Sequence, residues 1–172
     1  MPAEASQAID ISKMRLSNNW RERMRRHEKK VYNYYDDGGP GRGNCTRGIG
    51  ILAHYGPCSQ EELKTPVSDT QIEAEFASRL SYAECVVRRN ITSRALTQAQ
   101  FDALVSFTYN AGEGGAKTTF ALVNAGDFKG AASRISSFIY VHVKRKGKRV
   151  KVVARGLIPR RAEESAPFRE VK

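Results

Sequence analysis

The sequence predicts an α+β fold, mostly helical, in which a small β lobe and a larger helical lobe are joined by one long helix. Three observations carry this. Two stretches, opening at Ser68 and Thr97, begin with a hydroxyl residue followed three positions later by glutamine and continue with apolar side chains at helical spacing. Between Asp36 and Cys58, glycine and proline are too dense for a long helix, so only short strands and turns fit there. Beyond about residue 95, only one basic segment at 138–156 looks extended.

At 172 residues, 40% hydrophobic, the chain can bury one core or two small lobes sharing a helix, but not two independent domains. Twenty-nine basic residues against 18 acidic ones leave a formal charge of +11, which favours polyanionic partners: nucleic acid, an anionic membrane or a bacterial envelope. Cys45, Cys58 and Cys85 are odd in number and contain no CxxC pair, so three reduced thiols are expected rather than a disulfide framework. Cys45, His54 and Cys58 offer three metal ligands, but without paired spacing, and no metal is assigned. The N-terminus lacks the apolar core of a signal peptide, and no run approaches the ~18 apolar residues of a membrane span. The protein is therefore expected to be made soluble and to reach an external substrate by another route.

In chain order, residues 1–10 read as a flexible tail, and residues 11–172 as a single domain. A first helix is expected from about Ser12 to Tyr34, with Trp20, Met24, His27, Val31 and Tyr35 on one face and Glu28 at its border. Partial burial favours the protonated form of Glu28; neighbouring cations favour the ionised form. An exposed glutamate pairing with Arg25 is the competing reading. The loop DDGGPGRGNC follows, in which one of Asp36 and Asp37 suffices as a turn former. Thr46 to Ala53 reads as a short strand, within a β lobe of about residues 37–67. One carboxylate near a helix end, another nine residues on, and a strand-opening hydroxyl suit acid/base cleavage of a glycan.

The linking helix, about 69–90, carries Ile72, Phe76, Leu80, Ala83 and Val87 on one face. Gln98 to Ala111 is apolar nearly all round and reads as the buried centre of a helical lobe spanning about 95–172 together with the first helix; Gly112 ends it. Asn110 is either a capping amide or a cleft residue. Two shorter helices occupy 116–138, broken at Asn124-Ala125-Gly126. The segment FIYVHVKRKGKRVKVVARG is either a β-hairpin or an irregular basic loop, and its charge run is either a solvated face or a surface for anions. Pro159 suits the first turn of a closing helix.

Glu28, eight intervening residues, Asp37 and then Thr46 in T-x-G-x-G resemble the active-site signature of the phage-type lysozymes (endolysins) of glycoside hydrolase family 24. QFDALVSFTYNAG at 100–112 resembles that family's central helix, and GLIPRRAEESAPF at 156–168 its closing helix. The resemblance implies a lysozyme-like two-lobed fold that hydrolyses the β-1,4 bond between N-acetylmuramic acid and N-acetylglucosamine, without a cofactor. It casts Glu28 as the acid and Asp37, or alternatively Asp36, as the second carboxylate, with Thr46 beside it. Gly50, Tyr109 and Asn110 become substrate contacts, and Arg161 becomes a support for Glu28. Two departures stand out: eight residues rather than five separate Asp37 from Thr46, and Ile51 stands where many relatives have histidine. The implied partners are a peptidoglycan glycan strand and an anionic envelope, with no specific nucleic acid and a monomeric enzyme. The competing classes are a lytic transglycosylase, which needs one acid; a nucleic-acid binder, for which no motif appears; and a basic membrane-permeabilising protein.

Overall fold

The computed structural model describes residues 10–169. The expected tail at 1–10 lies outside the described residues except for Asp10, which caps a 3-10 turn at Ile11–Lys13 by accepting from the Ser12 amide at 3.0 Å. The elements that follow are α1 (Asn18–His27), β1 (Val31–Asp36), β2 (Cys45–Gly48), β3 (Ile51–His54), α2 (Gln60–Lys64) and α3 (Asp69–Asn90). Then come α4 (Gln98–Asn124), α5 (Phe128–Ser137), β4 (Tyr140–Arg145), β5 (Lys148–Val153) and α6 (Leu157–Arg169). The fold is α+β and mostly helical, with β1-β2-β3 as an antiparallel sheet and β4-β5 as a separate hairpin. Two compact units divide the chain, one of residues 21–81 and the other of those up to 20 and from 82 onward. Among the described residues, no helix is long and apolar enough to cross a membrane.

In the first unit the structure corrects the expected helix from Ser12 to Tyr34. α1 stops at His27, and Val31–Asp36 is a strand, so the sheet begins at Val31 rather than near residue 37. Of the supposed buried face only Met24 is fully covered. A β-branched residue and three tyrosines in VYNYYD favour extended backbone, and β2 supplies a hydrogen-bonding partner that local spacing does not reveal. Thr46 to Ala53, read as one strand, instead folds back between β2 and β3 through Gly48 (φ 59°) and Gly50 (φ 87°). Gly48 has a second reason to lack a side chain: a Cβ would come within 3.3 Å of Ile72 on α3. α2, too short for periodicity to reveal, opens on a complete capping box between Ser59 and Glu62.

The expectation of three reduced thiols is also corrected. Cys45 and Cys58 are joined as a disulfide, with Cα atoms 4.6 Å apart, and Cys85 is the free thiol. Counting cysteines misses this pair, because the hairpin that brings positions 45 and 58 together is a tertiary fact. The alternative metal set falls with it, since two of its three ligands are spent on each other.

α3 is as expected, with the Ser68 hydroxyl accepting from the Gln71 amide at 3.1 Å and Ile72, Phe76, Leu80, Ala83 and Val87 all buried. In the second unit Thr97 and Gln100 complete a reciprocal capping box at the start of α4. Phe101, Leu104, Val105 and Phe107 are wholly enclosed, so this is the central helix. Gly112 (φ 74°, ψ 167°) breaks it where a cap was expected, after which the chain resumes as helix to Asn124. The basic segment is a hairpin, not a loop: Lys146 (φ 49°) and Gly147 (φ 74°) both adopt the left-handed conformation of a type I′ turn. Pro159 lies in the first turn of α6.

Candidate active site

Glu28 stands just beyond α1, whose last turn carries Arg25, Arg26 and His27 against the negative end of the helix dipole. Its amide donates to the Arg25 carbonyl at 3.2 Å, so the turn sets where the side chain starts. The Arg25 guanidinium reaches Glu22 at 3.1 Å and Glu73 at 2.6 Å. Half-buried Glu28 lines a recess of about 480 Å³ with Lys29, Val31, Tyr35, Ile49 and Gly50. Gly50 matters there by omission: a Cβ on it would meet nothing within 4 Å, so its bare backbone leaves that wall open.

The two aspartates behave differently. Asp36 spends both oxygens on backbone, accepting from the Cys58 amide through Oδ1 and from the Gly41 amide through Oδ2, each at 2.7 Å. It is the turn former. Exposed Asp37 accepts from the Asn44 amide through Oδ1 at 2.7 Å, and its own amide donates to the Asn44 carbonyl at 3.1 Å. Its Oδ2 has no protein partner among the described residues. Gly43 makes this possible, since a Cβ there would sit 2.1 Å from Asp37 Oδ1. The Asp37 charge reaches Tyr35: burial first, and that carboxylate second, hold the phenol above its ordinary range. Thr46 lies directly across the ladder from Tyr35, is buried, and donates its hydroxyl to the Asn44 carbonyl at 3.3 Å. Cross-strand partners share a face of the sheet, so Thr46 stands beside the tyrosine that lines the Glu28 recess.

The second unit holds a separate arrangement. Arg161, almost wholly buried, donates to Glu164 at 2.5 Å, to the Phe138 carbonyl at 2.8 Å, and to the side-chain oxygen of Asn110. Its guanidinium packs 4.9 Å from the Phe107 ring centre and 5.7 Å from that of Phe138. Burial pushes the Arg161 guanidinium below its ordinary pKa, and Glu164 opposes that shift. With its oxygen held, Asn110 keeps its amide nitrogen to offer to the recess it lines with Phe138, Tyr140, Val141 and Arg161. Tyr109, its neighbour on α4, is buried.

The family model for phage lysozyme matches residues 25–164, which include Glu28, Asp37, Thr46, Asn110 and Arg161. The chain belongs to the phage lysozyme family. Among solved structures, an endolysin from Escherichia coli O157:H7 phage FAHEc1 is 27% identical, with 92% of this chain and 95% of that one covered at a TM-score of 0.69. The muramidase domain of SpmX from Asticaccaulis excentricus is 24% identical over 91% and 98%, at a TM-score of 0.67. The active form of the P1 phage endolysin Lyz is 18% identical over 91% and 86%, at 0.62. The last two likenesses speak to the fold. No curated protein matches. This phage lysozyme is a glycoside hydrolase that degrades peptidoglycan.

Sequence reasoning passed over one residue that organises the aspartate loop. Asn44 supplies the amide that holds Asp37 and the carbonyl that accepts from Thr46, while its side-chain oxygen accepts from the Gly56 amide at 3.1 Å. Its signal was an amide residue closing a glycine-rich turn. His54, offered by the sequence as a metal ligand, faces the Tyr55 carbonyl through Nδ1 at 3.0 Å and Glu62 through Nε2 at 2.9 Å. Both neighbours are acceptors, so the backbone carbonyl first and Glu62 next raise its pKa.

Proposed function

We propose that this lysozyme hydrolyses the β-1,4 bond between N-acetylmuramic acid and N-acetylglucosamine, with Glu28 protonating the leaving oxygen. Asp37, with Thr46, positions a water or stabilises the positive charge developing on the sugar ring. Gly50, Tyr109 and Asn110 contact the glycan, and Arg161 is a supporting residue. Two carboxyl groups and a placed water suffice for this reaction, so no cofactor is invoked. The observation that carries the reading is the division of labour between the aspartates. Asp36 has no oxygen to spare, whereas Asp37 keeps one and is charge-coupled to the tyrosine that shares a recess with Glu28.

The test is the clearing of purified peptidoglycan by folded wild type and Glu28→Gln. General acid catalysis is worth about 10²–10⁴ in rate, so the variant should fall by at least two orders of magnitude. Full activity in folded Glu28→Gln would overturn the mechanism. Mass spectrometry of the fragments separates reducing ends, the hydrolytic product, from the anhydro-sugar of a one-acid transglycosylase.

A further inference from the structure

The β4-β5 hairpin is the most one-sidedly charged part of the molecule. Lys144, Arg145, Lys146, Lys148, Arg149 and Lys151 fall within eight positions, and no acidic residue occurs anywhere from 128 to 162. All six are exposed, and no ion pair joins any of them to another described residue. Elsewhere the guanidinium and ammonium groups of Arg25, Lys30, Arg47, Arg88, Arg89 and Arg161 each meet a carboxylate. The type I′ turn and six registered pairs hold these unneutralised cations on a two-stranded ribbon.

The register shows how they are displayed. Val141/Val152 and Val143/Val150 pair on one face, while His142/Lys151 and Lys144/Arg149 pair on the other. Arg145/Lys148 and the Lys146-Gly147 turn make the tip purely cationic. An element that enters a bilayer carries apolar residues on the part that penetrates. Here the valines lie toward the base, so the tip suits a hydrated polyanion instead. The base of the ribbon supplies Tyr140 and Val141 to the recess lined by Asn110 and Arg161. A glycan strand lying along that recess would carry its attached peptides past the cations.

We propose that this hairpin docks the acidic stem peptides of peptidoglycan, its lysines and arginines pairing with their carboxylates while the glycan occupies the neighbouring recess. The inference rests on the glycan-cleaving reading above.

The test compares wild type with the Lys144→Gln/Arg145→Gln/Lys148→Gln/Arg149→Gln variant on two substrates: sacculi stripped of lipid and phosphate polymers, and the same glycan freed of its peptides. Four exposed ion contacts, each worth a factor of about two, predict a KM on intact sacculi raised about 16-fold with kcat unchanged. Turnover of peptide-free glycan should be unaltered. Amidating the peptide carboxylates, or adding salt, should remove the wild-type advantage. An equal loss on both substrates, or no loss on either, would overturn the proposal. So would a loss seen only on walls that keep phosphate polymers, or only in binding to phosphatidylglycerol vesicles. If the fourfold variant misfolds, Lys144→Gln and Arg149→Gln separately must each raise KM about twofold on sacculi alone. Wild type that pellets with sacculi but releases no reducing ends would refute the reaction and leave the docking standing.

Discussion

Asp36 and Asp37 are adjacent in the chain and opposite in their commitments. In Asp36→Asn an amide NH₂ would face a backbone N–H, leaving one donor without an acceptor. That should cost about 1–3 kcal/mol of stability, measured by denaturant unfolding, with activity per folded molecule little changed. Asp37→Asn can still accept from Asn44 through its remaining oxygen, so stability should hold while wall clearing drops by about 10²–10⁴. In the same variant the Tyr35 phenol should titrate lower, because the Asp37 charge is gone and only burial still raises its pKa. NMR titration of the tyrosine rings, with the Tyr35 signal assigned through Tyr35→Phe, reads this. Equal stability losses in the two asparagine variants would contradict the division of roles. That division was not legible in the sequence, where DDGG leaves the choice open. It was decided by Cys58, 22 residues away from the carboxylate it ties down.

Among the elements, the β2-β3 hairpin depends on a crosslink and an ion pair. The Cys45–Cys58 bridge spans 13 positions, and closing a loop of that size removes roughly 3 kcal/mol of unfolded-chain entropy. Cys58→Ser, or reduction, should therefore lower the unfolding temperature, as calorimetry would show. An unchanged temperature would mean that the bridge adds nothing. Glu62, on α2, joins His54 at the end of β3. The raised pKa of His54 makes its share of stability complete below the unfolded value near 6.5, and lost as pH rises through the folded value. Glu62 is shifted down, first by the Ser59 amide and then by His54, so its share is present above about 4.5 and lost as pH falls through the folded value. The link is thus strongest between those limits. NMR titration should find His54 titrating above an ordinary histidine, and lower again in Glu62→Gln. Both partners are exposed, so the effect on stability is small. Helices capped at Ser68 and Thr97 were legible because capping and burial act locally. Val31–Asp36 was not, because its strand state depends on pairing with residues nine to seventeen positions away.

At the scale of the molecule, the buried charge in the second unit and the surface charge on its hairpin follow opposite rules. Glu164, fully enclosed, accepts from Arg160, Arg161 and the Ser106 hydroxyl. Glu164→Ala would strand two buried guanidinium groups and should cost about 3–5 kcal/mol, seen as a large fall in unfolding midpoint. A shift of less than about 1 kcal/mol would mean that the arginines find water or other partners. The hairpin cations are open to water, so their energetic role waits on an anionic partner. The sequence by itself determined the helix caps, the enclosed central helix, the positive-φ loop and turn glycines, the excess of cations and the Glu28-Asp37-Thr46 spacing, because each arises from residues near one another in the chain. Only the tertiary structure decided the three-stranded sheet, the Cys45–Cys58 bridge, the locking of Asn110 by Arg161 and which aspartate keeps a free oxygen. Those depend on atoms distant in sequence meeting within bonding range, and no local pattern encodes such a meeting.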